Sequence, residues 1–394
     1  MSRIRNVVRR QATSFLFWLL PLTLLLSPIT PVAQASAAYS DPVSGDDSGA
    51  AVFTIAVQTS PQADYATSQT WTRSDWQRAW KAAKHQPSAD ALVYTDAFVE
   101  IVDSGVRKRY AMREDGVLSD IDTHECVKLP AKMRKAWVRA AKQLRSQHYG
   151  ELLEWEEAKT RYPLKTVLTV RDLETGLQFQ AQRRAGSHHA DVQPLTREDT
   201  AIMKRIYGGE WSWKRRAIVV TAEGAPVAAS MHGMPHGGDG IPDNEFSGHF
   251  CIHFLGSSTH RSGQVDLAHQ LMVQKAAGRL SSLVAQYPLA DRALALFESI
   301  RQHDSGLLRS LTDGSPMALH EQLAHMINDV DDVRAKLLRP SDQAAESASV
   351  QAELPVVVTI RGKGGGASEE TYRLRFNRES VDAPWVLAEM RIGK

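Results

Sequence analysis

Cysteine is nearly absent from this chain: its 394 residues include two, Cys126 and Cys251. A chain of this length that is 43% hydrophobic can bury two or three cores without cross-links, so the fold does not depend on disulfides. A single bridge between the two thiols remains compatible with an oxidising compartment, and it would take both out of chemistry. An excess of charge of one sign is also missing. The formal net charge is +2, and removal of residues 1–35, which hold four arginines and no acid, shifts it to −2. That balance leaves no electrostatic footprint for nucleic acid. The basic tripeptide Lys214-Arg215-Arg216 reads as a solvated turn or strand edge. Long apolar runs are lacking too. Phe15 to Leu26 falls short of the ~20 residues a bilayer span needs, and no second run follows, so no stable membrane span is expected after cleavage.

That one apolar run has the setting of an export signal. Arg3, Arg5, Arg9 and Arg10 precede it, and Ala33-Gln34-Ala35 supplies small residues for cleavage. Residues 1–35 therefore read as a signal peptide, with a retained anchor as the alternative. The mature protein is expected to be secreted, extracellular or associated with a cell wall.

The rest of the chain reads as α+β. Residues 36–69 are polar and aperiodic, a linker in which Val52 to Val57 is apolar enough for a short strand. A small α+β N-terminal module spans 70–160. Its hairpins turn at Ser104-Gly105 and Asp115-Gly116, and Pro130 opens a helix with Met133, Trp137, Ala140 and Leu144 on one face. A β-rich domain spans 161–280, with a hairpin turning at Glu174 to Gly176, a helix from Arg197 to Ile206 capped by Thr196, and buried strands at 217–221 and 227–231. Helices followed by three antiparallel strands fill 285–394. This last order resembles the cone-shaped SnoaL-like and cystatin-like folds, and the resemblance implies an accessory domain for wall attachment or self-association. Gly362 to Gly366 is a hairpin loop, without the strand-then-helix context of a phosphate cradle.

Histidine is where the sequence is rich. Eight of the 14 histidines lie between His188 and His269. The densest stretch, Met231 to Phe254, carries His232-Gly233 at a strand end, a loop with His236, and then Ser247-Gly248-His249-Phe250-Cys251-Ile252-His253. A thiol is a nucleophile only as thiolate, and imidazole is the side chain suited to take its proton near neutral pH. A histidine at a strand end is held by the sheet and can be aimed at a neighbouring segment with little entropy left to lose.

This stretch resembles the catalytic domain of the L,D-transpeptidases, the YkuD-like family, in which a His-Gly strand end is followed, after a loop of similar length, by Ser-His-Gly-Cys. It differs by one extra residue between serine and histidine, by Phe250 where the family has glycine, and by His253 where Arg or Asn is usual. The resemblance covers about residues 164 to 275. It implies an L,D-transpeptidase-like central domain in which Cys251 is the nucleophile, His232 the general base, and His249 the residue that orders the cysteine loop. It further implies Gly233 at the site and His253, Ser247 and His236 on the substrate side. The implied reaction is cross-linking or trimming of peptidoglycan stem peptides through a thioester, with no cofactor.

Two other readings stay open. Ser187-His188-His189-Ala190-Asp191 with a later histidine resembles the ligand pattern of zinc D,D-peptidases, with His188, Asp191 and His232 as the metal set. A catalytically inactive wall-peptide binding protein is the third.

Overall fold

A computed structural model describes residues 51–87, 93–121, 123, 125–238, 240–259, 263–340 and 346–393. The segment read as an export signal lies outside these residues, as do His124 and His260. Among the described residues no helix is long and apolar enough to cross a membrane.

Three cores follow one another along the chain. The first lies under a seven-stranded antiparallel sheet. In chain order its elements are β1 (Val52–Val57), β2 (Thr67–Thr72), α1 (Ser74–Lys81), β3 (Lys84–Gln86), β4 (Ala97–Asp103), β5 (Val106–Met112), β6 (Leu118–Asp120), β7 (Cys126–Lys128) and α2 (Ala131–His148). The sheet order is β2-β1-β4-β5-β6-β7-β3. Strand β1 alternates strictly, placing Phe53, Ile55 and Val57 against Trp76 of α1 and Trp137 of α2. The Trp76 and Trp137 rings meet edge to face at 5.5 Å. The short strand expected at Val52 to Val57 is present, and the expected linker around it is corrected for its described part. Val52–Val57 is an inner strand, paired on both sides, and Thr67–Thr72 is its edge neighbour. The β4–β5 hairpin turns where expected, with Ser104 and Gly105 both at positive φ.

The second core fills a closed six-stranded barrel of order β10-β13-β12-β11-β8-β9. Its elements are α3 (Trp155–Arg161), β8 (Val167–Asp172), β9 (Gln178–Ala185), β10 (Ala190–Pro194), α4 (Arg197–Ile206), β11 (Arg215–Thr221), β12 (Val227–His232) and β13 (Phe250–His253). Side chains alternate along each strand. Val170, Phe179, Val192, Ile218, Met231, Phe250 and Ile252 share the barrel core, to which α3 adds Trp155 and Ala158. Helix α4 starts at a capping box in which Thr196 and Asp199 satisfy each other's backbone N–H.

The third core joins the barrel's outer wall to the C-terminal elements. These are α5 (Leu267–Ala276), α6 (Leu280–Gln286), α7 (Leu289–Arg301), α8 (Ser305–Leu311), α9 (Met317–Asp329), β14 (Val330–Leu337), β15 (Gln351–Gly362), β16 (Ala367–Asn377) and β17 (Val386–Ile392). The four strands form one antiparallel sheet in the order β14-β15-β16-β17, one strand more than the sequence pattern suggests. Ala217, Val219 and Ala228, on the outer side of β11 and β12, pack in the same cluster as Leu271 of α5, Phe297 of α7 and Val356 of β15. A buried cation ties these parts together. Lys275 of α5 donates to Glu174 at 2.5 Å and to Asp304, the N-cap of α8, at 2.8 Å, while Thr59 and Ser60 also donate to Glu174.

Candidate active site

The period of two that fills the barrel also builds a polar cluster on its outer wall. On β13, Phe250 and Ile252 face the core, so Cys251 and His253 face outward. Register sets their neighbours: Asp191 of β10 stands opposite Cys251, and Ser230 of β12 opposite His253. Ser230 and His232 share that outer face, since Met231 between them is in the core. Three adjacent strands therefore present Asp191, Cys251, His253, Ser230 and His232 side by side.

The loop from 233 to 249 folds back over this face. His236 and His249 exchange two backbone hydrogen bonds, of 3.0 and 2.8 Å, which pin the loop as a short antiparallel bridge. The bridge carries the His236 ring to the thiol, with Nε2 3.4 Å from Cys251 Sγ. Gly248 makes this geometry possible. Its φ is +90°, and a Cβ there would lie 2.3 Å from the His236 carbonyl oxygen. The extra residue between Ser247 and His249 is thus the left-handed turn that seats the bridge. Gly233 has a different reason: a Cβ would come within 2.4 Å of the Tyr207 ring, while its N–H donates to Ser212 O at 2.8 Å.

His232 ends β12 as expected, but it is His236 that hydrogen-bonds the thiol. His232, read from sequence as the general base, also brings a ring nitrogen within 4.8 Å of the Cys251 sulfur. The His232 ring lies in an aromatic cage, 4.7 Å from Trp213, 5.1 Å from His236 and 5.9 Å from His269. Trp213 is 49% exposed and also covers His236 at 5.3 Å, forming the outer lid of the cluster. His253, expected on the substrate side, is only 2% exposed. It is sandwiched between His269 at 3.7 Å and His189 at 4.3 Å, both rings nearly parallel to it. It forms the inner wall, out of a substrate's reach in this conformation. Ser247 is exposed on the loop.

A carboxylate completes the cluster. Asp191 Oδ1 is 3.8 Å from Cys251 Sγ, 3.3 Å from His189 Nε2 and 3.8 Å from His249 Nε2. On the far side, His269 Nδ1 meets Ser230 Oγ at 2.9 Å, and Asp266 caps α5 by accepting from His269 N. Asp266 also accepts from Arg215 at 2.7 Å, and Arg215 stands opposite His232 in the β11–β12 pairing.

Burial sets the protonation states. The Cys251 thiol is pushed up from its ordinary value, first by loss of solvent and then by the Asp191 carboxylate beside it. His232 and His269 are pushed well down, chiefly by burial, then by Arg215 in the first case and His253 in the second. At neutral pH the thiol is therefore protonated, and the His232 and His269 rings are neutral.

The two cysteines are not bridged. Cys126 and Cys251 are both free thiols, the one in the first sheet and the other in the barrel. The metal set read from sequence is not assembled either. His188 is exposed and meets the cluster only through its carbonyl, which accepts from Ser258 N. Among the described residues, every grouping able to hold a metal ion contains Cys251: with His189 and His253, with His232 and His236, or with Asp191 and His249.

A cleft of 480 Å³ opens nearby, lined by Tyr207, Ser212, Lys214, Arg216 and Gln302 among others. Cys251 does not line it. Sequence reading missed His269, Arg215 and Trp213 as parts of the site. A signal for His269 existed, because Asp266 three residues earlier marks a helix start that would aim it. No known protein family, curated protein or solved structure matches the chain.

Proposed function

We propose that this protein is an exported cysteine acyltransferase, similar to L,D-transpeptidases, that acts on peptide carbonyls of peptidoglycan stems. One observation carries the reading: a buried thiol within hydrogen-bond distance of a half-buried imidazole, 3.4 Å from Cys251 Sγ to His236 Nε2. Secretion and the wall substrate rest on the N-terminal sequence and on the resemblance of the Met231 to Phe254 stretch.

In this reading His236 takes the thiol proton as Sγ attacks the carbonyl carbon. The C–N bond of the terminal residue then breaks, the proton passes from His236 to the leaving amine, and a thioester remains on Cys251. An amine from a neighbouring stem, or water, attacks the thioester, gives its proton to His236 and frees the thiol. Burial and Asp191 oppose a standing thiolate, so the nucleophile stays protonated until it attacks, when hydrogen-bond donors around the attacked oxygen stabilise the negative charge developing there. Oxyanion stabilisation of this kind contributes on the order of 3 kcal/mol per donor. His249 holds the loop that delivers His236, and His232 with Trp213 buttresses the ring.

The test is incubation of the purified protein with a stem tetrapeptide ending in D-alanine. Release of D-alanine by the unaltered chain and none by Cys251→Ser supports the reading. Equal release by both, or none by either with stems and acceptor amine present, overturns it.

A further inference from the structure

The Cys251 cluster has donor chemistry that acyl transfer does not require. A soft sulfur and two imidazoles, from Cys251, His232 and His236, have their donor atoms within 4.8 Å of one another. The separation of 3.4 Å between Sγ and His236 Nε2 is close to the ~3.6 Å expected across a tetrahedral zinc ion with bonds of about 2.3 Å to sulfur and 2.0–2.1 Å to nitrogen. His236 is half-buried on a loop pinned at its base, so it can follow an ion by a small rotation. His232 sits on the last residue of a strand, and Trp213 covers both rings from solvent. Asp191 and His249 form a second arc around the same sulfur, and a carboxylate there offsets the charge of a bound cation.

We infer that Cys251, His232 and His236 form a binding site for one thiophilic divalent cation of the zinc type, which holds the nucleophile in a reversible inactive state. The ion takes the place of the thiol proton: M²⁺ binds, one proton leaves Sγ to solvent, and no electron is transferred. Its coordination occupies the sulfur lone pair that would attack a carbonyl and the Nε2 that would accept the proton. The inactive state rests on the acyltransferase reading; the ion site itself does not.

Cobalt(II) titrated into the reduced full-length protein reads the site without reference to activity. A near-ultraviolet sulfur-to-cobalt charge-transfer band, saturating at one equivalent and displaced by zinc, is expected. The band should vanish in Cys251→Ser, persist in Cys126→Ser, and require at least ~10-fold more cobalt in His232→Ala and His236→Ala, in line with loss of one ligand of three. On the unsubstituted protein, where folding is not in question, one equivalent of zinc should slow iodoacetamide labelling of Cys251 at least ~10-fold. No saturable band, a band that survives Cys251→Ser, or labelling indifferent to zinc overturns the site. A protein that shows the band but never takes an acylating probe keeps the ion site and loses the acyltransferase reading. One that is acylated without showing the band does the reverse.

Discussion

His236 and His232 are four residues apart, yet the structure gives them different tasks. His236 hydrogen-bonds the sulfur; His232 supports His236 from a buried position. His236→Ala should therefore lower the rate of Cys251 acylation by about 10²–10⁴, the usual worth of a general base, and His232→Ala by clearly less, as followed by stopped-flow or quenched mass spectrometry. Equal losses would return the base to His232. Phe250 makes a second case. Read as a sequence, it is a bulky residue where the resembling family has glycine. In the structure it is fully buried in the barrel core, 5.9 Å from Phe246 and 6.0 Å from Phe179, and the left-handed turn falls to Gly248 instead. Phe250→Ala should cost ~3–5 kcal/mol in urea unfolding, as expected for emptying a packed aromatic site. Cys251 stands out in the sequence because cysteine is so rare here; its 3.4 Å contact with His236 does not, because it depends on how the loop from 233 to 249 closes.

At the scale of elements, local signals carried most of the fold. Turn glycines at 105, 116 and 176 and the Thr196 cap each mark an observed boundary. What local pattern cannot report is pairing. Val52–Val57 reads as a short strand within a polar linker, and only long-range register with β2 and β4 makes it an inner strand of a sheet. Strand β14, VDDVRAKL, escapes notice because only Val330 and Val333 are buried, and edge strands carry charge. His269 escapes because it acts from α5, a helix that packs on the barrel from beyond the motif. The cap at Thr196 offers a clean check of local reasoning. Thr196→Ala removes the side-chain acceptor from Asp199 N and one donor to Asp199 Oδ2, and should cost ~1 kcal/mol by chemical denaturation.

For the molecule as a whole, buried titratable groups outside the site make folding sensitive to acid. His148 lies under Tyr65 at 4.8 Å and bonds Thr67, and burial lowers its pKa to about 4; burial lowers that of His320 to about 4 as well. Both take up protons more readily unfolded, so the stability tied to their neutral forms is complete above about 6.5 and is lost as pH falls through about 4. Glu174, against buried Lys275, is held down to about 2 despite its own burial. Its contribution is present above the ordinary glutamate range and fades only toward pH 2. The urea midpoint should thus fall steadily between pH 6.5 and 4, with His148 alone contributing on the order of 3 kcal/mol across that window. His148→Gln should flatten the profile. The same network joins Thr59 and Ser60, the barrel, α5 and α8, so acid loosening should spread beyond one sheet. The α+β class was legible from sequence, but the continuity of the C-terminal core with the barrel wall was not, since it depends on which face of β11 and β12 is left apolar.

The central claim is that Cys251 is an acylatable nucleophile served by His236. Intact mass followed by peptide mapping, after treatment of the reduced, folded protein with a carbapenem-type acylating probe, tests it most directly. A single covalent adduct on Cys251, absent from Cys251→Ser and much slower to form in His236→Ala, is the predicted result. An unmodified Cys251, or an adduct that forms equally fast without His236, contradicts it.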